Sequence, residues 1–304
     1  MKKILHIILI TIISLTVISC SSDDSKTTTS SVSFVAVGTS GTLLTSSDGT
    51  SWTSRTSGTS NGLQRVIYAN STFVTVGNSG TILTSSDGTT WTSRTSGTTN
   101  RLYGITYGNS TFVTVGNSGT ILTSSDGTTW TSRTSGTTND LWGDHYANST
   151  FVTVGDSGTI LTSSDGTSWD NRTSGTSNGL QGVIYEGNFT VEGDAGIILR
   201  SSDGISWDNS TSQTTENLYG IYYVNSSIVM VGESGTIITS LNEGIDWDNR
   251  TSGTTNRLYK VTYGNSTFVT VGLSGTVLTS LDGTTWTSRT SGTTETLHGI
   301  AYKE

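Results

Sequence analysis

The chain lacks proline, contains a single cysteine in 304 residues, and is poor in charged residues, which make up 12% of it. A single cysteine excludes internal disulfide bonds, so packing and hydrogen bonds must hold the fold together. Only 31% of the residues are hydrophobic and 37 are glycine, a composition that on its own is compatible with disorder. The low net charge per residue and the regular spacing of the aromatic residues favour a folded domain instead.

Acidic residues outnumber basic ones, and the whole chain has a net charge of −8. Removal of an N-terminal segment that contains Lys2 and Lys3 but no acid leaves 13 basic and 23 acidic residues, a net charge of −10. An acidic surface repels phosphate backbones and anionic lipid headgroups. We therefore expect no nucleic-acid partner.

Residues 1–19 are predicted to form a secretory signal peptide. Two lysines precede a mostly apolar run from Ile4 to Ile18, which is short for a membrane span. The run ends in Val17-Ile18-Ser19-Cys20, which resembles a bacterial lipobox and implies that Cys20 becomes the lipidated first residue of the mature protein. Residues 20–31 lack apolar periodicity and are predicted to form a flexible tether. We expect membrane attachment through the lipid.

The tether begins with Cys20-Ser21-Ser22-Asp23-Asp24. This start is similar to the acidic surface-export signal of Bacteroidetes lipoproteins. The resemblance implies an exported lipoprotein of the cell envelope. It favours the outer membrane and the cell surface, and it leaves the membrane leaflet open.

The remaining residues, 32–304, contain seven copies of a short motif typified by Ser85-Ser86-Asp87-Gly88-Thr89-Thr90-Trp91. The copies centre on Asp48, Asp87, Asp126, Asp165, Asp203, Asn242 and Asp282. The tryptophans that end them are Trp52, Trp91, Trp130, Trp169, Trp207, Trp247 and Trp286. These tryptophans are 39, 39, 39, 38, 40 and 39 residues apart. A period of this length indicates a solenoid, propeller or array, because one unit alone cannot bury its apolar face.

One repeat, from Leu102 to Asn139, contains four segments with the composition of short β-strands. Strands a to d are predicted at 102–107, 111–115, 120–123 and 130–135, with glycine-containing turns between them. Four short antiparallel strands of this kind predict one propeller blade. No stretch of the repeat has a helical period.

The two ends of the chain predict a closed ring. The first repeat, from Ser33, contains strands b, c and d but no strand a, whereas Leu297–Tyr302 form a strand a with nothing after it. We expect an all-β fold: a seven-bladed β-propeller of four-stranded antiparallel blades, closed when the C-terminal strand a joins the N-terminal strands b-c-d. An open solenoid would leave unpaired edges and require capping repeats, which the sequence does not show.

The repeated motif resembles the Asp box, Ser-x-Asp-x-Gly-x-Thr-Trp, of sialidases with BNR repeats, sortilin-type proteins and Ycf48-like proteins. In six copies glycine follows aspartate directly, as in Asp87-Gly88, which departs from the family pattern by one residue. The copy from Ser240 to Trp247 has the family spacing, with Asn242 in place of aspartate. The segment Val115–Leu122 is also similar to the strand before the box in Ycf48-like proteins. The resemblance covers about residues 33–304 and implies a propeller.

We interpret the motif as a folding device. A carboxylate or amide accepts hydrogen bonds from turn amides, glycine supplies a positive φ, and tryptophan packs between layers. Each of the six directly spaced copies has one acid and no second ligand at the spacing of a calcium loop. We therefore predict no metal and no cofactor.

Positions that differ among otherwise similar repeats are the candidates for ligand contact. The two most informative are the residue after the strand-a leucine and the loop residue before it; the b–c turn also varies. The candidates are Arg101, Tyr103, Asp140, Trp142, Tyr219, Arg257, Tyr259 and His298. Since strands alternate direction, the d–a and b–c connections share one face, which surrounds the channel mouth if strand a is innermost. Such residues suit sugar rings or a protein loop, although the aromatics alternatively pack between blades.

Three functions remain open at this point. The first is a non-catalytic binding module of the cell envelope, with a glycan or a surface protein as ligand. The second is an assembly or adhesion scaffold similar to Ycf48-like proteins, which assist assembly of photosynthetic complexes; their basic patch has no counterpart in this acidic domain. We favour the first, in a monomeric protein.

The third function, a sialidase-like glycoside hydrolase, has the least support. Six arginines repeat in the outer strand d and point away from a shared centre: Arg55, Arg94, Arg133, Arg172, Arg250 and Arg289. The absence of proline excludes the Arg-Ile-Pro motif of that family. Asp144 and His145 are adjacent strand residues that face opposite sides, so they make a poor catalytic dyad. We predict that the protein is not an enzyme.

Overall fold

The computed structural model describes residues 31–303, and these residues form strands and short turns. The predicted signal peptide, Cys20 and nearly all of the predicted tether lie outside the described residues. Within residues 31–303, no helix has the length and apolar character needed to cross a membrane.

The described residues contain 28 strands. In chain order they are β1 Phe34–Gly38, β2 Leu43–Ser46, β3 Thr53–Ser54, β4 Leu63–Ala69, β5 Thr72–Gly77, β6 Ile82–Ser85, β7 Thr92–Arg94, β8 Leu102–Gly108, β9 Thr111–Gly116, β10 Ile121–Ser124, β11 Thr131–Arg133, β12 Leu141–Ala147, β13 Thr150–Gly155, β14 Ile160–Ser163, β15 Asp170–Arg172, β16 Leu180–Tyr185, β17 Phe189–Gly193, β18 Ile197–Ser201, β19 Asp208–Thr211, β20 Leu218–Val224, β21 Ser227–Gly232, β22 Ile237–Ser240, β23 Asp248–Arg250, β24 Leu258–Gly264, β25 Thr267–Gly272, β26 Val277–Ser280, β27 Thr287–Arg289 and β28 Leu297–Tyr302.

Three-residue 3₁₀ turns connect strands b and c. They are Thr39–Gly41, Asn78–Gly80, Asn117–Gly119, Asp156–Gly158, Asp194–Gly196, Glu233–Gly235 and Leu273–Gly275. The middle residue of each turn has a φ of 53 or 54°. The turn packs onto the loop before strand a, since the Asn78 N–H donates to the Gly62 carbonyl at 2.8 Å. The b–c and d–a connections therefore share a face.

Seven antiparallel four-stranded sheets make seven blades in the described chain. Blade 1 has the order β28-β1-β2-β3, and blades 2 to 7 each use four consecutive strands as strands a to d. Phe34 pairs with Tyr302 and Val37 with Gly299, so the last strand completes the first blade. Each strand a contacts the strand a of both neighbouring blades in a closed circuit. The predicted seven-bladed propeller and its closure by both ends are confirmed.

Strand d is shorter than the sequence predicted. In blade 3 it covers Thr131–Arg133, where 130–135 was expected. Trp130 lies before the strand because its indole N–H donates to the Gly127 carbonyl at 3.2 Å, inside the hairpin that precedes it. The tryptophan therefore belongs to the turn.

The hydrophobic core lies between the blades. Between blades 1 and 2, Val35 and Val37 pack against Leu63 and Phe73, and an equivalent cluster occurs at each other junction of the described ring. Within blades, aromatic rings extend this core: in blade 3, Tyr107, Phe112 and Trp130 follow one another with ring centroids 4.5 and 6.4 Å apart. Burial of these apolar faces is the main stabilising contribution.

The connections from strand c to strand d, which we call the c–d hairpins, are closed by their own side chains. In blade 2, Asp87 Oδ1 accepts from the N–H groups of Thr89 and Thr90 at 2.7 and 2.8 Å and from the Ser85 hydroxyl at 2.9 Å. The Thr90 N–H, with that of Thr89, holds the pKa of Asp87 well below its usual range. Gly88 has a φ of +75°, which suits glycine. The carboxylate thus stabilises the turn.

Candidate functional site

The residue after the strand-a leucine lies on a β-bulge in every blade. In blade 3 the pairing passes from Leu102 with Gly116 to Gly104 with Val115, so Tyr103 has no partner in the ladder. The same shift occurs in the other six blades. A bulge re-aims the side chain of its extra residue. Seven bulges on the innermost strands therefore turn seven side chains toward the axis.

These seven side chains surround a cavity of about 350 Å³, which we call the channel pocket. Its lining residues are Gln64, Arg65, Arg101, Tyr103, Trp142, Gln181, Tyr219, Tyr259, Lys260 and His298. Six of the eight sequence-predicted candidates are among them. The sequence comparison of repeats thus located the residues that meet at the centre of the ring.

The aromatic residues of blades 6, 7 and 1 contact one another around the pocket. The Tyr219 and Tyr259 rings are 5.8 Å apart, and Tyr259 meets His298 edge-on at 4.9 Å. The Tyr219 hydroxyl donates to Glu233 at 2.8 Å, and burial together with Glu233 raises its pKa to about 12. Burial, with Arg101 nearby, lowers the pKa of His298 to about 4. His298 is therefore neutral at pH 7.

Arg257 and Asp140 do not line the pocket. Arg257 pairs with Glu233 at 2.7 Å and lies over the rings of Tyr219 and Tyr259, with centroids at 5.2 and 5.6 Å. Asp140 accepts from the Ser118 N–H at 2.7 Å and from the Asn117 side chain at 2.8 Å. Arg257 thus orders the rings beside the mouth, and Asp140 joins blade 4 to blade 3.

Arg101 lies at the wall of the pocket. Its guanidinium stacks on Tyr103, 4.9 Å from the ring centroid. Its Nε is buried without a hydrogen-bond partner among the described residues. A buried donor without a hydrogen-bond partner costs free energy.

Arg65 and Lys260 line the pocket, and the sequence reasoning missed both. They occupy the third position of strand a, where the other five blades have glycine. Lys260 is buried at 6% exposure. Neither takes part in an ion pair among the described residues. Comparison of the repeats at this third position would have identified both cations, because five blades have glycine there. The sequence comparison considered mainly the residue after the strand-a leucine and the loop residue before it.

Two acids lie behind the pocket. Asp144 replaces the valine or isoleucine of the other strands a, and Glu192 replaces the valine of the other strands b. Both are buried, and their carboxylate oxygens have no hydrogen-bond partner among the described residues. Glycines make room for them, since a Cβ on Gly104 would lie 2.8 Å from Asp144 and one on Gly182 would lie 2.3 Å from Glu192.

The charged groups at the channel shift one another's pKa values. They are Arg65, Lys260, Asp144 and Glu192. Burial raises the pKa of Asp144 to about 7 against the lowering effect of Arg65 and Lys260. Burial also raises the pKa of Glu192 and lowers that of Lys260. The pKa of His145 falls to about 4 through burial, with Arg65 and Lys260 adding to the effect. The channel therefore contains ionisable groups whose charge depends on what contacts them.

Blade 5 differs from the other blades at Glu186, Glu192 and Arg200. Part of this divergence has a structural explanation. Arg200 pairs with the buried Glu186 at 3.0 Å, and Glu186 also accepts from the Thr190 hydroxyl at 2.7 Å. This ion pair lies within one blade, away from the channel pocket. Among the three unusual residues of this blade, only Glu192 is turned toward the channel charges.

Larger cavities, of about 710 to 790 Å³, lie between neighbouring blades near the outer strands. Serine, threonine and glycine of the d–a segments line them, and the lining repeats from blade to blade. These clefts belong to the scaffold. In the part of the chain that the structure describes, no three His, Cys, Asp or Glu side chains are placed to hold a metal ion.

No protein-family model matches the chain, and no curated protein matches it. Solved structures do resemble it. "YCF48 bound to D1 peptide" is 18% identical with a TM-score of 0.66, over 82% of this chain and 92% of that one. YCF48 from Cyanidioschyzon merolae is 16% identical with a TM-score of 0.65, over 81% and 90% of the two chains. The WD40 propeller domain of Doa1 is 14% identical with a TM-score of 0.65, over 88% and 90%.

Identities this low show the fold alone. Together with the geometry above, they define the class of protein: a seven-bladed β-propeller with a small pocket at the centre of one face.

Proposed function

We propose that the protein is a non-catalytic binding module whose channel pocket takes an acidic sugar residue of a glycan. One observation carries this proposal. In a chain with a net charge of −8, the pocket is lined by Arg65, Arg101 and Lys260 and by no acid. Cations without ion-pair partners beside aromatic rings suit a ligand that has both an anionic group and an apolar face.

The size of the pocket agrees with a single sugar ring. At about 350 Å³ it lies near the lower end of small-ligand sites, which span roughly 300 to 1,000 Å³. Trp142 and Tyr103 offer ring faces, and the amides of Gln64 and Gln181 offer donors and acceptors for hydroxyl groups. We propose no catalytic role for this site.

The setting of this module follows from the sequence. We propose that the c–d hairpins are Asp boxes, that Cys20 is lipidated, and that the protein is a monomer attached to the cell envelope. The motif spacing supports the Asp boxes. The lipobox resemblance supports lipidation and attachment to the cell envelope. The mouth then presents the pocket to glycans of the envelope or the surroundings.

A protein ligand is the second candidate. The observation in its favour is that a solved propeller of similar fold is "YCF48 bound to D1 peptide". Under this alternative, the pocket would receive an acidic side chain of a partner, and the protein would act in assembly or adhesion. Aromatic anchors such as Tyr219 and Tyr259 are typical of both kinds of interface.

The test is binding of residues 32–304 to oligogalacturonate and to the matching neutral galactose oligomers, measured by titration calorimetry. We expect saturable binding of the acidic oligomer only. Trp142→Ala and Tyr219→Ala remove ring contacts, and Lys260→Gly and Arg65→Gly restore the residue of the other blades. Each should weaken binding about tenfold, equivalent to about 1.4 kcal/mol.

Asp170→Thr is the matched control, because Asp170 is exposed in an outer strand and blades 2 and 3 have threonine there. Its affinity should equal that of the wild type. Equal binding of neutral and acidic oligomers would remove the acidic-ligand assignment. Absence of binding across a broad panel of envelope glycans would contradict glycan binding and leave the protein-ligand candidate.

A further inference from the structure

The face opposite the channel pocket carries exposed aliphatic side chains. Of the five large hydrophobic side chains exposed in residues 31–303, four lie in c–d hairpins: Ile205, Leu241, Ile245 and Leu281, which are 54, 58, 72 and 78% exposed. They belong to blades 5, 6 and 7, which are neighbours in the ring. The fifth, Leu273, lies in a b–c turn on the pocket face.

The repeats show that folding does not require these four residues. Leu241 and Leu281 occupy a position where the other five blades have serine. Ile205 and Ile245 follow the hairpin glycine, where the other five blades have threonine. Each change replaces an exposed serine or a half-buried threonine by a larger aliphatic residue that remains more than half exposed. Exposed apolar groups gathered on one side of a soluble domain indicate a surface that meets an apolar partner.

The chain joins the propeller at this same face. The Ser33 N–H donates to the carbonyl of Ser46, which begins the c–d hairpin of blade 1, at 3.0 Å. Cys20, the predicted lipid attachment site, precedes Val32 by twelve residues. Twelve residues reach at most roughly 40 Å. A lipid on Cys20 would therefore keep the c–d hairpin face within this distance of the membrane.

We propose that the c–d hairpins of blades 5, 6 and 7 rest on the lipid surface, with Ile205, Leu241, Ile245 and Leu281 inserted between the headgroups. This contact directs the channel pocket away from the membrane. The proposal goes beyond the ligand-binding function and depends on lipidation at Cys20, not on the identity of the ligand.

The arrangement favours a bilayer over a protein partner. The four side chains stand on three neighbouring hairpins at one face of the ring, and a flat, deformable surface can bury all of them at once. The same hairpins also carry acids, among them Asp203, Asp246 and Asp282. Anionic headgroups would be repelled by these acids. The lipid that suits this face is zwitterionic.

The test uses the full lipidated chain in phosphatidylcholine vesicles and hydrogen–deuterium exchange measured by mass spectrometry. Flotation with the vesicles first checks the lipid anchor. We expect vesicles to slow exchange in the c–d hairpins of blades 5 to 7 at least about threefold relative to hairpins of blades 2 and 3. The b–c turns on the pocket face should exchange at the same rate with and without vesicles.

The decisive variant combines Ile205→Thr, Leu241→Ser, Ile245→Thr and Leu281→Ser, which are the residues of the other blades. It should float normally and lose the protection. Leu273→Asn is the matched control, since it removes an exposed leucine from the opposite face and gives the asparagine of blades 2 and 3. It should keep the protection.

Four results would overturn the proposal. The chain fails to float, which removes the anchor on which it depends but leaves glycan binding unaffected. The hairpins of blades 5 to 7 are not protected by vesicles. The pocket-face turns are protected instead. Protection appears without lipid and increases with protein concentration, which would assign the face to a second copy of the chain.

Discussion

The c–d hairpins and the channel-lining strands use the same repeat in opposite ways. In the hairpin of blade 2, Asp87, Ser85 and Gly88 satisfy one another's hydrogen bonds within a few residues. In the channel, Asp144 and Glu192 are buried without hydrogen-bond partners among the described residues. The hairpins therefore stabilise the fold, whereas the channel charges place buried polar groups where the fold does not need them. Groups of this second kind are the ones to examine for function.

The outer features of the ring support this interpretation. The arginines of strand d donate to a threonine of strand c, as Arg94 Nε does to Thr84 at 2.8 Å. The same bond recurs in five other blades. An identical bond in six blades is a property of the scaffold. A charge that occurs at a position in one or two blades only, as at Arg65 and Lys260, has no such explanation.

The largest change in stability is expected when charged channel residues are replaced by the residues that other blades have at the same positions. Glu192→Val combined with Lys260→Gly restores the residues of other blades and removes two opposite buried charges together. Neither side chain has an ion-pair partner among the described residues, and burial of a charge without such a partner costs free energy. The free energy of unfolding should therefore rise by about 1–4 kcal/mol. Urea denaturation measures it.

The single variant Glu192→Val is the control for that change. It leaves Lys260 beside Arg65 with one acid fewer, and it should be less stable than the double variant. If the double variant is less stable than the wild type, the channel charges contribute to folding, and the contrast with the hairpins is wrong.

The second prediction concerns pH. The folded pKa of Asp144, raised by burial to about 7, exceeds the unfolded value of 3.8, so the folded state binds its proton more tightly. Its favourable contribution is complete below pH 3.8 and is lost as the pH rises through about 7. Relative to Asp144→Asn, the wild type should therefore lose stability between about pH 4 and 7, by up to about 4 kcal/mol, at about 1.4 kcal/mol for each pH unit of the shift.

Thermal or urea denaturation of both proteins across this pH range measures that difference. Comparison with the variant is necessary because His145 and His298, whose folded pKa values are lowered to about 4, act in the opposite direction below pH 6.5. A constant difference between the two proteins from pH 4 to 7 would show that Asp144 stays ionised, and the buried-acid interpretation would fail.

The smallest effect is expected at the outer strand. Asp170 pairs with Arg172 at 3.0 Å, but its side chain is 75% exposed. An exposed ion pair contributes little, so Asp170→Thr should change the free energy of unfolding by less than about 0.5 kcal/mol. A loss above about 1 kcal/mol in urea denaturation would mean that the outer strands are not interchangeable between blades.

The fold could be predicted almost completely, because the repeat has a fixed period and complementary incomplete blades at its two ends. The site could be predicted in part. Tyr103, Trp142 and Tyr259 were found as variable residues beside a constant leucine, and they meet in the channel pocket. Asp140 and Arg257 shared the same pattern but serve to link blades and to order rings. Sequence variation alone does not separate these roles, because both occur on one face.

The sequence by itself determined the blade, its seven copies, the closure of the ring and the hairpin chemistry, because each depends on residues close together in the chain or on a strict period. Only the tertiary structure decided which distant residues meet. Arg65 and Lys260 are 195 positions apart, yet they line one pocket because ring closure brings all strands a to a common axis. The grouping of four exposed aliphatic residues on the face where the chain joins the ring has the same origin.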